Sequence, residues 1–389
     1  MQLESFLTTA RLVELVKTLV AIPSPTGEEQ AMADWVAAFL SELGLEQVTR
    51  LPVEEAGDSV FGWLNPKGSG PTLMLNFHLD TFEAFADWET NPFEAVEKHG
   101  NLFGLGTHDM KGGAACVLAA VEAIVRSGVG LGNGRLLVSA TSDEENWSRG
   151  AHALINSGAL ANVDYCLVPE PSAAGTLTVG QRGRHVFHLA FRGKSVHAAF
   201  GGGINAVVDA ARVVAILEDS NKADVGISQE WGMPGSRSVI GLHGGGTLIL
   251  VPETADLYSD RHIMPGETVE QAAAQIEAAI EKANIQSEVT LTWDERPTPA
   301  PGPVVVPSDS KLVTTVLDIL AEEQKRPILL TLGRSVADTS HFAVHGGVPT
   351  LICGPQGGNT CAANEYVAID SLLPTARTYV RAAMALVAG

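Results

Sequence analysis

The feature that most constrains how this chain folds is a set of short, almost uninterrupted apolar runs, each leading into a polar residue. Thr72–Phe77 runs into His78, Arg135–Ala140 leads to Asp143, and Val163–Val168 leads to Glu170. A strand with one wet face alternates polar and apolar positions. Runs apolar at nearly every position suit parallel strands buried on both faces. Helical stretches lie between them, notably Ala114–Val125 and Ala151–Asn156. Strand and helix in alternation predict a doubly wound α/β sheet.

The first 45 residues read as helical, broken at Ile22–Gly27. Thr26 stands three residues before Glu29, the spacing of a capping box for the helix carrying Met32, Trp35, Val36 and Leu40. After about Gln181 the pattern changes. His185–Arg192 alternates like a strand, Gly203–Leu217 has a helical period, and Ser238–His243 and Ala255–Ile263 read as strands. A helix at Glu267–Lys282 and a strand at Ser287–Trp293 complete the order β-α-β-β-α-β, the split unit of a ferredoxin-like domain. Arg296–Pro301 alternates with proline and reads as a stiff linker. Helix Lys311–Leu320 and the apolar run Pro349–Cys353 then resume the first style. The expectation is a mixed-sheet α/β domain over residues 1–181 and 296–389, interrupted by a smaller α+β domain over 182–295.

Charge narrows the function classes. The 389 residues carry 25 Lys and Arg against 45 Asp and Glu, a formal net charge of −20. Such a surface repels phosphate backbones and anionic headgroups, and no basic patch offsets it, so neither nucleic acid nor membrane is an expected partner. No stretch approaches the roughly 20 apolar residues of a membrane span. Met1–Glu4 lacks the basic start of a signal peptide, which makes a cytoplasmic location the expectation. Four scattered cysteines form no disulfide framework. Cys116, Cys166 and Cys353 sit in apolar runs, and Cys361 sits in a polar loop.

In an open α/β sheet, ligands bind beyond the carboxyl ends of the strands. The residues expected there are His78, Asp80, Asp109, Glu144, Glu145 and Glu170. One acidic residue after a strand is usually a cap or a solvated turn, but four such places on one rim are hard to assign to capping. Unneutralised carboxylates would repel one another, so a bound cation is expected, and carboxylate with histidine suits zinc or manganese. His78-Leu79-Asp80 puts both polar side chains on one face of an extended segment, where Asp80 can orient the imidazole. The glycines of Gly104–Gly113 allow a tight turn with Asp109 at the rim, and their spacing fits neither a P-loop nor a dinucleotide fingerprint. Adjacent Glu144 and Glu145 in extended backbone point opposite ways, one towards metal and one towards a water that metal makes acidic.

These stretches carry a resemblance. Asn76–Asp80, Asp109–Gly113, Asp143–Glu145 with Gly150-Ala151, Pro169–Ser172 and Asn364–Val367 resemble, in order, the signatures of the M20 metallopeptidase family. The resemblance implies a catalytic α/β domain with an inserted ferredoxin-like dimerisation (lid) domain, and a homodimer acting on a small-molecule substrate. It implies His78 and Glu170 on one metal, Glu145 on a second, Asp109 bridging both, Glu144 as general base and Asp80 supporting His78. Zinc is the leading ion, with manganese or cobalt as alternatives, two per chain or one. Gly193–Ala198 resembles the stretch that lends a histidine to a neighbouring subunit's site, making His197 the oxyanion candidate. Arg261 and Asn205 become the substrate-binding candidates, Arg261 for a carboxylate.

Two departures bear on function. Four residues before Glu365, where the family resemblance leads one to expect a metal histidine, stands Cys361, a strong zinc ligand as thiolate; five before is Thr360. His341 and His345 lie in a nearby segment as possible replacements. Ile249 stands where an asparagine that touches substrate is expected, and Asn76 and His108 are milder oddities. The expected activity is metal-dependent hydrolysis of an amide-like C–N bond in a small carboxylate-bearing substrate, as in an N-acyl amino acid deacylase or carboxypeptidase. The alternative is an altered member that takes an unusual substrate or binds a ligand without hydrolysis.

Overall fold

The computed structural model describes residues 3–220, 227–228, 230–293 and 295–388. Met1 and Gln2, part of the signal-peptide argument above, lie outside the described residues. The chain divides into two compact units: Met1–Gly180 with Val305–Gly333 and Ala337–Gly389, and Gln181–Val304 with Arg334–Val336.

The first unit is built on a nine-stranded mixed sheet. From one edge its order runs Glu46–Leu51, Ser59–Leu64, Arg135–Thr141, Thr72–His78, Tyr165–Val168, Thr350–Ile352, Thr176–Gln181, Val304–Val305, with Leu329–Gly333 also pairing with Thr176–Gln181. The central strands are parallel, Thr72–His78 pairing with both Arg135–Thr141 and Tyr165–Val168, and the latter with Thr350–Ile352. All seven residues of Thr72–His78 are buried, as expected for a strand covered on both faces. Parallel strands direct their carboxyl ends to one rim, so His78, Asp143–Glu145 and Glu170 emerge together. Asn76, odd in sequence, is buried in this sheet and donates to the hydroxyls of Ser139 at 3.0 Å and Thr141 at 3.3 Å.

A second, four-stranded antiparallel sheet joins distant segments, in the order Gly357–Gly358, Tyr366–Ala368, Asn101–Phe103, Val96–Lys98. Tyr366 pairs with Phe103, which sets the loop carrying Cys361 and Glu365 against the turn carrying Asp109.

The expected capping box at Thr26 does not form. The helix starts at Gln30, with Glu29 as a cap that makes no side-chain bond to its own helix. Glu29 instead reaches the backbone N–H groups of Gly27 (2.9 Å), Gly57 (2.8 Å) and Asp143 (3.1 Å). Three fixed backbone donors satisfy a buried carboxylate better than one reciprocal pair at a helix end.

In the second unit, strands Gly183–Arg192, Ser236–Gly244, Thr254–Ile263 and Glu288–Trp293 form an antiparallel sheet with helices Ala206–Ser220 and Val269–Lys282. Numbered along the chain, the strands lie in the order 2-3-1-4, the ferredoxin-like topology. Phe187, Leu189, Ala210, Val213, Leu257 and Ile276 form its core. Here a capping box does form, Thr268 with Gln271. The proline-rich segment expected to be a linker packs on this unit's first strand: Arg184 donates to Pro301, and a Cβ on Gly183 would lie 2.7 Å from Pro303. The contact boundary accordingly falls at Val304 rather than at 295.

Candidate metal centre and active site

His78 ends its strand with the ring 1% exposed. Its Nδ1 lies 2.9 Å from the main-chain oxygen of Asp80 and 3.6 Å from the Asp80 carboxylate. A carbonyl only accepts, so Nδ1 carries the proton and Nε2 faces Asp109 Oδ1 at 3.1 Å. Asp80 thus meets His78 Nδ1 through its backbone oxygen at hydrogen-bond distance, with its carboxylate a longer contact at 3.6 Å. Its carboxylate serves the neighbouring loop: Oδ1 accepts from Glu144 N at 3.1 Å, and Oδ2 from Glu145 N at 3.1 Å and the Thr26 hydroxyl at 3.0 Å. An anion held by two successive N–H groups sets the directions in which Glu144 and Glu145 leave the chain.

Asp109 sits in the turn Thr107–Lys111. Glu365, 1% exposed, accepts from Gly106 N (2.7 Å), His108 N (3.0 Å) and Asp109 N (2.8 Å), clamping that turn from below. Gly106 has φ 73°, and a Cβ there would lie 2.4 Å from Thr81 Cγ2, so only glycine fits. Asp109 then points one oxygen at His78, and the other accepts from Cys361 Sγ at 3.3 Å. His108, the second oddity, bonds Thr360 at 2.7 Å and so fastens the loop beside Cys361.

Three overlapping groups of donor atoms result, each within 4.8 Å: His78, Asp109 and Glu170; Asp109, Glu145 and Cys361; His78, Glu144 and Glu145. Asp109 is common to the first two. The Oε1 atoms of Glu145 and Glu170 are buried without a hydrogen-bond partner among the described residues. Buried carboxylate oxygens left unpaired are costly, and a cation satisfies them, so the donor set fits divalent metal.

The electrostatics agree. Burial first, then the charge of Glu170, holds Glu144 well above the ordinary carboxylate range; burial and then Asp109 do the same for Glu145 and Glu170. Burial would lower His78, but its bonds to Asp109 and Asp80 outweigh that and raise it well above 6.5. Burial, then Asp109 and Glu145, pushes up the Cys361 thiol. Asp338, buried near these groups, is raised by burial to about 6, and Glu365 likewise to about 7. A divalent ion reverses the local logic, favouring carboxylate, thiolate and neutral imidazole together.

The remaining candidates lie in the second unit. His197 is close to Phe200, ring centres 4.7 Å apart, and its Nδ1 accepts from Ala199 N at 3.2 Å. Arg261 is 0% exposed and ion-paired with Glu267. Asn205, expected at substrate, is instead the N-cap of the helix Ala206–Ser220: its Oδ1 accepts from Val207 N and Val208 N, both at 3.1 Å. His341 and His345 do not replace the missing histidine beside Asp109; they gather with His152 in a separate group. Sequence reasoning missed the clamping roles of Glu29 and Glu365, which have no local signature.

The site defines a class, a carboxylate-rich cluster of candidate metal ligands at the rim of an α/β sheet, and the comparisons give that class its family. Residues 74–385 match the model of peptidase family M20/M25/M40, and the chain belongs to that family. It is 27% identical to the N-formyl-4-amino-5-aminomethyl-2-methylpyrimidine deformylase of Bacillus subtilis, over 93% of this chain and 91% of that protein. It is 25% identical to the succinyl-diaminopimelate desuccinylase of Buchnera aphidicola, over 94% of this chain and 96% of that one. The fold matches that of aminopeptidase PepT from Bacillus cereus, with a TM-score of 0.78, 19% identity and coverage of 98% and 99%. It also matches a dinuclear metal-binding M20 peptidase from Bacillus subtilis, with a TM-score of 0.71, 13% identity and the same coverage. Among the described residues no helix is long and apolar enough to cross a membrane.

Proposed function

We propose that this chain is a metal-dependent hydrolase that cleaves the amide C–N bond of a small N-acyl substrate. The observation that carries the reading is Asp109, whose two oxygens face two donor groups, one with His78 and Glu170, the other with Glu145 and Cys361. Imidazole, carboxylate and thiol in one set favour zinc over manganese, with two ions per chain. When bound, the ions would polarise the substrate carbonyl and make a neighbouring water acidic.

Glu144 takes the proton from the attacking water and returns it to the departing amine. Its backbone bond to Asp80 keeps it facing the donor groups without demanding that it be a permanent ligand. Asp80 and Thr26 hold that loop, and Glu365 holds Asp109, so the reacting groups are arranged before substrate arrives. His197, from a second copy of the chain, steadies the oxyanion. Phe200, Leu248 and Ile249 are 83%, 102% and 57% exposed on the second unit, which supports a dimer that covers them.

A second reading concerns substrate. Arg261 is buried against Glu267, and Ile249 cannot hydrogen-bond through its side chain, which favours a substrate without a carboxylate. The deformylase relative is named for such a compound. The decisive test is Glu144→Gln, assayed on N-formyl aminopyrimidines and on N-acetyl and N-succinyl amino acids. Turnover should fall by about 100-fold or more with metal content unchanged. Parent-like turnover in the variant would sink the proposed role of Glu144.

A further inference from the structure

The sequence His341-Phe342-Ala343-Val344-His345 places two histidines at i and i+4. His341 lies in the helix Asp338–Val344 and His345 caps it, so both rings leave one face. His152, on the helix Arg149–Asn156, meets that face. Its Nε2 lies 2.8 Å from His341 Nδ1, and its ring centre lies 4.7 Å from that of His341 and 5.3 Å from that of His345. One nitrogen from each of the three falls within 4.8 Å of the other two. His152 and His341 are 8% and 2% exposed, while His345 is exposed, so the group is closed on the protein side and open to solvent.

We propose that His152, His341 and His345 form an additional divalent-metal site, separate from the carboxylate centre, that takes zinc or a similar imidazole-seeking ion. Zinc bound tetrahedrally at about 2.0–2.1 Å needs nitrogens roughly 3.4 Å apart. The 2.8 Å pair must open slightly and the third ring must swing inwards. His345 is the exposed ring of the three, and its side chain is the one that must move. The group contains no carboxylate, so it is poorly suited to magnesium, calcium or manganese. Three neutral imidazoles leave the fourth position to water from the open side.

The place of the site gives it a consequence. The helix carrying His152 starts just after Glu144 and Glu145, and the helix carrying His341 starts at Asp338, buried near His78 and Glu144. An ion joining the two helices would staple together two segments that support the catalytic rim.

The test uses full-length protein stripped with chelator, reloaded with zinc and dialysed at micromolar free zinc, beside His345→Ala and His345→Cys. The parent should retain about one zinc equivalent per chain more than His345→Ala, and His345→Cys should recover it. The zinc-induced rise in melting temperature should be smaller in His345→Ala than in the parent. Equal zinc in parent and His345→Ala would overturn the site. Because the readout is a difference, it holds whether the carboxylate centre takes two ions, one or none. Failure of the proposed hydrolase would therefore not be mistaken for failure of this site.

Discussion

Cys361 holds its backbone at φ 54°, a left-handed conformation that costs a side-chain residue about 1 kcal/mol or more, with its sulfur beside Asp109. Cys361→Ser should lower zinc content by about one equivalent per chain, because a hydroxyl is a far weaker zinc ligand than a thiolate. Cys361→His should keep the parent's content. Unchanged zinc in Cys361→Ser would remove the cysteine from the ligand set. At this scale the proposed donors His78, Asp109, Glu145, Glu170 and Cys361 were picked out by residue type and by the family resemblance, and the structure brings their side chains together. Glu29 and Glu365 were not. Their targets are backbone N–H groups, all but Gly27 on other segments, and a backbone donor leaves no mark in sequence.

Among the elements, the turn before Asp109 is the most constrained. Gly106→Ala puts a methyl 2.4 Å from Thr81 Cγ2 at φ 73°, and should cost about 2–3 kcal/mol, read from the midpoint of urea denaturation. Turnover should fall about tenfold or more as Asp109 moves. A stable, fully active Gly106→Ala would show that the turn has slack that this geometry denies. The strands were readable because a run apolar at every position has few other places to go. The helix start at Thr26 was misread because the capping signature was present in sequence while Asp80 and the backbone at Gly57 and Asp143 competed for the same side chains. The proline-rich segment was misread as a linker because stiffness is local, whereas its packing on Gly183 is not.

For the whole molecule, pH and assembly are the tests. Burial, with Arg182 and Arg184 nearby, lowers His262 to about 4 despite Asp260. The folded chain keeps this imidazole neutral while the unfolded chain takes up a proton below about pH 6.5. Stability is therefore full above that value and is lost progressively as pH falls from 6.5 towards 4. His262→Gln should flatten that part of the pH profile of denaturation, and an unchanged slope would count against His262 as its source. Sedimentation should give a two-chain mass, and Phe200→Glu with Ile249→Glu should reduce it to one; a monomeric parent would contradict the proposed dimer.

The sequence by itself determined the mixed α/β architecture and the types of donor group gathered at its rim, because periodicity and ligand chemistry are written residue by residue. Only the tertiary structure decided which atoms serve. It gave His78 a backbone oxygen, Asp80 the Glu144–Glu145 loop, Asn205 a helix cap, and His341 and His345 a partner in His152. A buried polar atom takes whichever partner the packing brings within about 3 Å. That choice depends on segments far apart in the chain, which no local pattern records.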